Sequence, residues 1–175
     1  IISSLFLIIH SIKDFILKSK TKSYFNYSSF LSHLGFGILM FFIILNHNFS
    51  KEFDLNIKVG ETKKIGDMEI KFKNLKIEKR ENYNVIIGSF NIFDYKKNYE
   101  KKLNPEIRVY NNPQTLTFES AIKTNLKRDL YLTMSNIDGS DFYNVKFQIK
   151  PFMLWIWFAA FLTASGGLLR TLRIK

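Results

Sequence analysis

The sequence predicts membrane α-helices joined to an all-β extramembrane domain, a small antiparallel β-sandwich or barrel. Three observations carry that prediction. Apolar residues gather at the two ends of the 175-residue chain, while charges fill the middle. The middle alternates apolar and polar residues with the period of two that half-buried strands require. The net charge of +11 is also unevenly placed. Lys13, Lys18, Lys20 and Lys22 separate the first two apolar runs, and Arg170, Arg173 and Lys175 close the chain.

Residues 1–26 read as the end of a truncated transmembrane helix followed by a basic cytoplasmic segment. The opening run, IISSLFLII, is too short to cross a bilayer. The first residue is Ile1 rather than Met, so the chain reads as lacking its N-terminal part. The run has no charged leader and no small-residue cleavage site, which argues against a signal peptide. The next stretch, HSIKDFILKSKTKSYFNY, is basic and is expected to lie along the membrane surface. Residues 27–49 form a transmembrane helix, whose apolar part at 27–45 rises about 28 Å, close to the hydrocarbon thickness. Residues 50–150 form the β domain. Strands are expected at 54–59, 68–72, 75–78, 84–93, 106–110, 115–122, 129–134 and 142–149, with Asp138-Gly139 as a turn between the last two. Residues 151–175 form a C-terminal transmembrane helix and basic tail, with Trp155 and Trp157 placed for the interfacial aromatic belt. Cations mark the cytoplasmic side, so both basic segments belong there. Two crossings then carry residues 50–150 to the opposite face, the periplasm if the membrane is a bacterial inner membrane.

Composition excludes several functions. The chain has no cysteine, which removes disulfides, thiolate metal sites, a Cys nucleophile and Cys lipidation. The β domain holds 19 basic and 14 acidic residues, a mild excess without a recognition motif, so no nucleic-acid partner is expected. That domain has no histidine, Gly-rich phosphate loop, metal-ligand spacing or nucleophile–base pair, and no catalytic residue is assigned to it.

The three histidines, His10, His33 and His47, all lie in the flanking segments. His10 and His47 read as interfacial residues at helix ends. His33 lies within the second apolar run, and an ionisable side chain inside a membrane helix points to function. Gly37 falls at i+4 and Met40 at i+7 on the same helical face. A glycine beside a histidine leaves a flat surface that admits a planar macrocycle while the imidazole ligates its iron. The same spacing also suits a structural histidine bonded to a neighbouring helix, with Gly37 as a close-packing position.

Five ordered motifs resemble the C-terminal portion of the CcmF/NrfE family, the heme lyase component of cytochrome c-type biogenesis. They are SHLGFGI at 32–38, PEIRVY at 105–110, ESAI at 119–122 with RDLYL at 128–132, KPFMLWIW at 150–157, and Gly166-Gly167-Leu168. The resemblance runs from about Ser28 to the C-terminus and is carried by the order of the motifs together with the topology.

The resemblance implies a membrane b-type heme held by two histidines on different helices. His33 occupies the position of the more C-terminal one, as a ligand of the heme b iron, with Gly37 on the heme-packing face. The other ligand and the family's tryptophan-rich heme-handling segment belong to the missing N-terminal part of the same protein. Trp155-Ile156-Trp157 is not that segment and reads as an anchor. The implied reaction adds two apocytochrome c thiols across the heme vinyl groups, forming thioethers. The membrane heme supplies an electron in this scheme, and this chain alone is not expected to be active. Arg108, Glu119, Arg128 and Asp129 either brace the β domain or contact the heme chaperone CcmE, the partner subunit CcmH or apocytochrome c. The competing reading is a non-catalytic, membrane-anchored β scaffold for assembly or secretion.

Overall fold

A computed structural model describes residues 1–20, 26–95 and 99–172. Lys22, Arg173 and Lys175, three of the seven flanking cations, lie outside the described residues, as does the stretch 21–25 of the basic segment. The chain divides into two compact units. One comprises Ile1–Ser50, Asn125–Arg128 and Lys150–Lys175, and the other Lys51–Thr124 and Asp129–Ile149.

The first unit is helical, with α1 at Ile2–Lys20, α2 at Tyr27–Phe49 and α3 at Met153–Thr171. The sequence ends the first helix near Ile9. In the structure α1 continues to Lys20, because Ile12, Phe15 and Ile16 keep helical spacing and Asp14 pairs with Lys18 one turn on, at 2.9 Å. Asn26 caps α2, its Oδ1 accepting the Ser29 N–H at 3.1 Å. Both α2 and α3 are long and apolar enough to cross a membrane.

Small residues set the helix contacts. A Cβ on Gly35 would lie 2.7 Å from the Thr163 nitrogen, and one on Gly166 would lie 2.5 Å from the Ser32 nitrogen, so α2 and α3 touch backbone to backbone. The Ser28 hydroxyl donates to the Gly166 carbonyl at 2.7 Å and fixes the start of α2 beside the end of α3. Large apolar side chains point away from these contacts. Phe36, Met40, Ile43, Trp157, Phe158 and Phe161 are all exposed. Small residues inside and large apolar ones outside is the pattern a lipid solvent selects.

The second unit is a β-sandwich. Its strands are β1 Lys51–Ile57, β2 Thr62–Ile65, β3 Met68–Lys79, β4 Tyr83–Asp94, β5 Tyr99–Leu103, β6 Glu106–Asn111, β7 Gln114–Glu119, β8 Ala121–Lys123, β9 Arg128–Asn136 and β10 Tyr143–Pro151. One sheet runs β1-β10-β9-β8 and the other β2-β3-β4-β6-β7, with β5 also paired to β4. Of the two architectures the sequence allows, the sandwich is the one formed. The expected strands at 68–72 and 75–78 are one strand, β3, with a bulge between Phe72 and Asn74 that absorbs Lys73. The expected strand at 115–122 is two, because the chain leaves one sheet after Glu119 and joins the other at Ala121. Asp138-Gly139 does turn between β9 and β10, Gly139 taking a φ of 72° that suits glycine.

Inward-facing residues of both sheets meet in one core. Phe72, Phe90, Phe147, Ile70, Ile92, Leu132 and Met134 are fully buried. Each such side chain contributes about 1.5–3 kcal/mol by leaving water. At the centre, the Phe72 and Phe90 rings stack with centroids 4.2 Å apart, and Tyr143 meets Phe72 edge-on.

Candidate functional site

His33 faces a cavity between α1 and α2. The cavity is about 620 Å3 in volume and is lined by Leu7, His10, Ser11, Asp14, Lys18, Asn26, Ser29, Phe30 and His33. The helices run antiparallel here: Gly37 lies against Ser4 and Ile8, and Phe15 stacks on Phe30 at 5.1 Å. That register sets His33 level with His10, and Asn26 and Ser29 level with Asp14 and Lys18. One end of the cavity therefore holds two imidazoles. The other holds a carboxylate–ammonium pair, an amide and a hydroxyl.

The sequence places His10 at a helix end. In the structure it sits mid-helix and opens on the same cavity as His33. The signal for this was present in the spacing of Leu7, Ser11, Asp14 and Lys18, which recur on one helical face once α1 is extended past Ile9. His47 lies in the last turn of α2, beside Asn46, whose amide donates to the Pro151 carbonyl at 2.5 Å.

Gly37 has a different neighbour from a macrocycle. It is buried, and a Cβ there would lie 2.9 Å from the Ile8 Cγ1 and 3.4 Å from the Ser4 carbonyl oxygen. Its missing side chain lets α1 approach α2, so the flat surface expected to face heme is occupied by α1.

The residues suit one side of a heme site. An imidazole is an axial donor for iron. Leu7 and Phe30 offer apolar contact, and polar groups stand at the far end for an acidic edge. The volume falls in the range of about 300–1,000 Å3 typical of ligand pockets. Among the described residues, no group of three or more His, Cys, Asp or Glu side chains is placed to hold a bare metal ion.

On the sandwich, Arg108 and Glu119 come together as part of a larger cluster. Glu106 and Glu119 stand directly opposite on β6 and β7, an arrangement that like charges disfavour. Arg108 lies between them. Its guanidinium bonds Glu106 at 2.7 Å, reaches Glu119 at 3.9 Å and covers the Tyr83 ring at 5.2 Å. Bonding to Glu106, and then to Tyr110, holds its pKa above the ordinary arginine value. Asp129 is instead buried on β9, in the other sheet. Burial first, and then the Asp129 carboxylate, raises the pKa of Tyr131. Arg128 belongs to the helical unit. Within the sandwich, Arg108 and Glu119 thus share one sheet and Asp129 lies in the other.

Comparison with known proteins adds the following. Residues 48–151 match the family model described as the CcmF C-terminal beta-sandwich. The cytochrome c-type biogenesis protein CcmF of Haemophilus influenzae is 35% identical over 141 residues, covering 79% of this chain and 21% of that protein. Its counterpart in Pseudomonas aeruginosa is 30% identical over 155 residues, covering 89% of this chain and 23% of that protein. A solved structure of cytochrome c heme lyase CcmF superposes with a TM-score of 0.66 at 15% identity, over 81% of this chain and 23% of that one, and shows the same fold. The chain therefore spans less than a quarter of the length of these relatives.

Proposed function

The chain belongs to the CcmF family through its C-terminal β-sandwich, and on that premise we propose that it serves as the C-terminal portion of a cytochrome c heme lyase subunit in the bacterial inner membrane. In this reading α2 and α3 span the bilayer. Lys18 and Lys20 at the end of α1 and Arg170 at the end of α3 lie on the cytoplasmic side. The Ser28–Gly166 bond supports this, because it joins the two helix ends that those cations flank. The sandwich, inserted between the other ends of α2 and α3, faces the periplasm.

His33 is the proposed axial ligand of a membrane b-type heme. The observation that carries the proposal is its position: an imidazole on a span-length apolar helix, opening on a cavity large enough for a ligand. When bound, the heme supplies a one-electron redox centre for the reduction that accompanies thioether formation. The chain's own residues do the rest. His33 would hold the iron through its imidazole and so tune its potential. Gly37 shapes the site by letting α1 close against α2, and Leu7 and Phe30 keep water from the macrocycle face. The second imidazole comes from elsewhere in the parent protein. Its own charged residues brace the sandwich, whose surface is offered to CcmH, CcmE or apocytochrome c.

The test is spectroscopic. In the full-length protein purified in detergent, His33→Ala removes the b-type Soret band and His10→Ala leaves it. An unchanged band in His33→Ala overturns the ligand role. Absence of any heme in the wild-type protein favours the non-catalytic scaffold.

A further inference from the structure

The sandwich has one edge unlike its others. Strand β7 ends its sheet, and among the described residues no strand pairs with its outer side. Edge strands commonly carry lysine or proline, which keeps other chains from pairing with them. The other sheet ends, β1 (KEFDLNI), β2 (TKKI) and β8 (AIK), all contain lysine. β7 reads QTLTFE, with no lysine, no proline and a single charge at its last position.

Register decides which main-chain groups of β7 face outward. The Asn111 N–H donates to the Asn82 carbonyl at 3.3 Å, and the Pro105 carbonyl accepts the Gly88 N–H at 3.0 Å. Odd-numbered positions along β6 therefore turn toward β4. Antiparallel alternation turns Glu106, Arg108 and Tyr110 toward β7, where they stand opposite Glu119, Thr117 and Thr115. Leu116 and Phe118 then point their N–H and C=O groups to the open side. Their side chains lie on the core face of the sheet, because Phe118 stands opposite Ile107, which is 1% exposed. Leu116 is nonetheless 50% exposed and Phe118 43%. The core face is thus left uncovered at this edge.

We propose that β7 is a docking edge for an extended segment of another polypeptide, which adds to the sheet as an antiparallel strand. The residues that bond to Leu116 and Phe118 through the main chain lie on the same face as those side chains, so they are apolar. One of them continues the cross-strand row Ile86, Ile107, Phe118. The residues between them lie beside Thr115 and Thr117 and are polar. The partner is therefore a chain of alternating apolar and polar residues, held mainly by its backbone. A second copy of the sandwich fits less well. The edge is six residues long, about 20 Å, and two rigid sandwiches joined along it fall short of the roughly 1,200 Å2 of a stable interface. An unfolded segment closes on the same edge as a transient partner. The proposal needs only the sandwich and stands apart from the heme reading.

The test follows amide hydrogen exchange, residue by residue, in the whole chain held in detergent micelles. The probe is a capped synthetic peptide of alternating threonine and valine with a lysine at each end. In the free chain the Leu116 and Phe118 amides exchange fast and the Thr115 and Thr117 amides slowly. The peptide slows Leu116 and Phe118, and a peptide of the same composition with its valines grouped together does not. Each valine N-methylation weakens binding about fivefold, the loss of one hydrogen bond, whereas threonine N-methylation, on the far side of the added strand, leaves it unchanged. Leu116→Lys, at an exposed position, abolishes binding, and Ile122→Lys, equally exposed on the other sheet, spares it. Slow exchange at Leu116 and Phe118 in the free chain overturns the proposal, because the edge is then already covered by a second copy or by the chain itself. Equal binding of the alternating and grouped peptides overturns it too, as does equal binding of the valine-methylated and unmethylated ones.

Discussion

Replacing Gly166 by alanine puts a methyl group into the α2–α3 contact. The new carbon would lie 2.5 Å from the Ser32 nitrogen and 2.7 Å from the Ser28 carbonyl oxygen, and would also meet the Ser32 hydroxyl. The hydroxyl can rotate away, but the two backbone atoms belong to a hydrogen-bonded helix and cannot. The helices must therefore part. Overpacking of this kind costs about 1–3 kcal/mol. Separation also stretches the bond from Ser28 to Gly166, worth about 1 kcal/mol. Alanine returns about 1 kcal/mol of helix propensity, so the net loss is about 1–3 kcal/mol. Gly167 supplies the control, because a Cβ there meets nothing within 4 Å. Gly167→Ala gains only the propensity term and is neutral or stabilising by up to about 1 kcal/mol. Unfolding in mixed micelles of rising denaturing-detergent content, followed by circular dichroism, compares the two. If Gly166→Ala unfolds no earlier than Gly167→Ala, the close α2–α3 contact is refuted.

Other consequences follow for the sandwich. Phe90→Ala removes a fully buried ring stacked on Phe72, and chemical denaturation should show a loss of about 3–5 kcal/mol. A loss under about 1 kcal/mol would place Phe90 outside the core. Arg108→Ala leaves Glu106 facing Glu119 and costs about 1 kcal/mol; adding Glu106→Gln recovers part of it, and no recovery contradicts the bridging role. Tyr131 has a pKa raised above its model-compound value of 10.0. Its contribution is therefore complete below pH 10 and is lost as pH rises from there through the higher folded value. Stability measured against pH should fall more steeply on the alkaline side in the wild type than in Tyr131→Phe, and coincident curves would refute this.

Much of this fold was legible because two periodicities are clean. NVIIGSFNIF at 84–93 and DLYLTM at 129–134 alternate around buried Phe90, Ile92, Leu130, Leu132 and Met134. The apolar runs of α2 and α3 stand out by length. What escaped was carried by residues that look like surface. Strands β2 (TKKI) and β5 (YEKKL) each bury one residue, Ile65 or Leu103, and show lysine to solvent, so alternation barely registers over so few positions. The bulge at Lys73 shifts the alternation and makes one strand read as two. In the helical unit the place of His33 inside an apolar helix was legible from its surroundings. His10 reads as a helix-end residue because the first apolar run stops at Ile9; its face-mates Leu7, Ser11, Asp14 and Lys18 form one stripe only when α1 is carried on to Lys20. Gly37 shows the limit of spacing: i+4 fixes a shared face but not what fills it, and here α1 does.

The central claim is that the His33 imidazole binds heme iron in the membrane. Chemical rescue tests it most directly. In the full-length protein, His33→Gly removes the imidazole and leaves space beside the cavity. The account predicts that this variant loses its b-type absorption and regains it when free imidazole is added. A His33→Gly variant that keeps its full b-type spectrum without imidazole contradicts it.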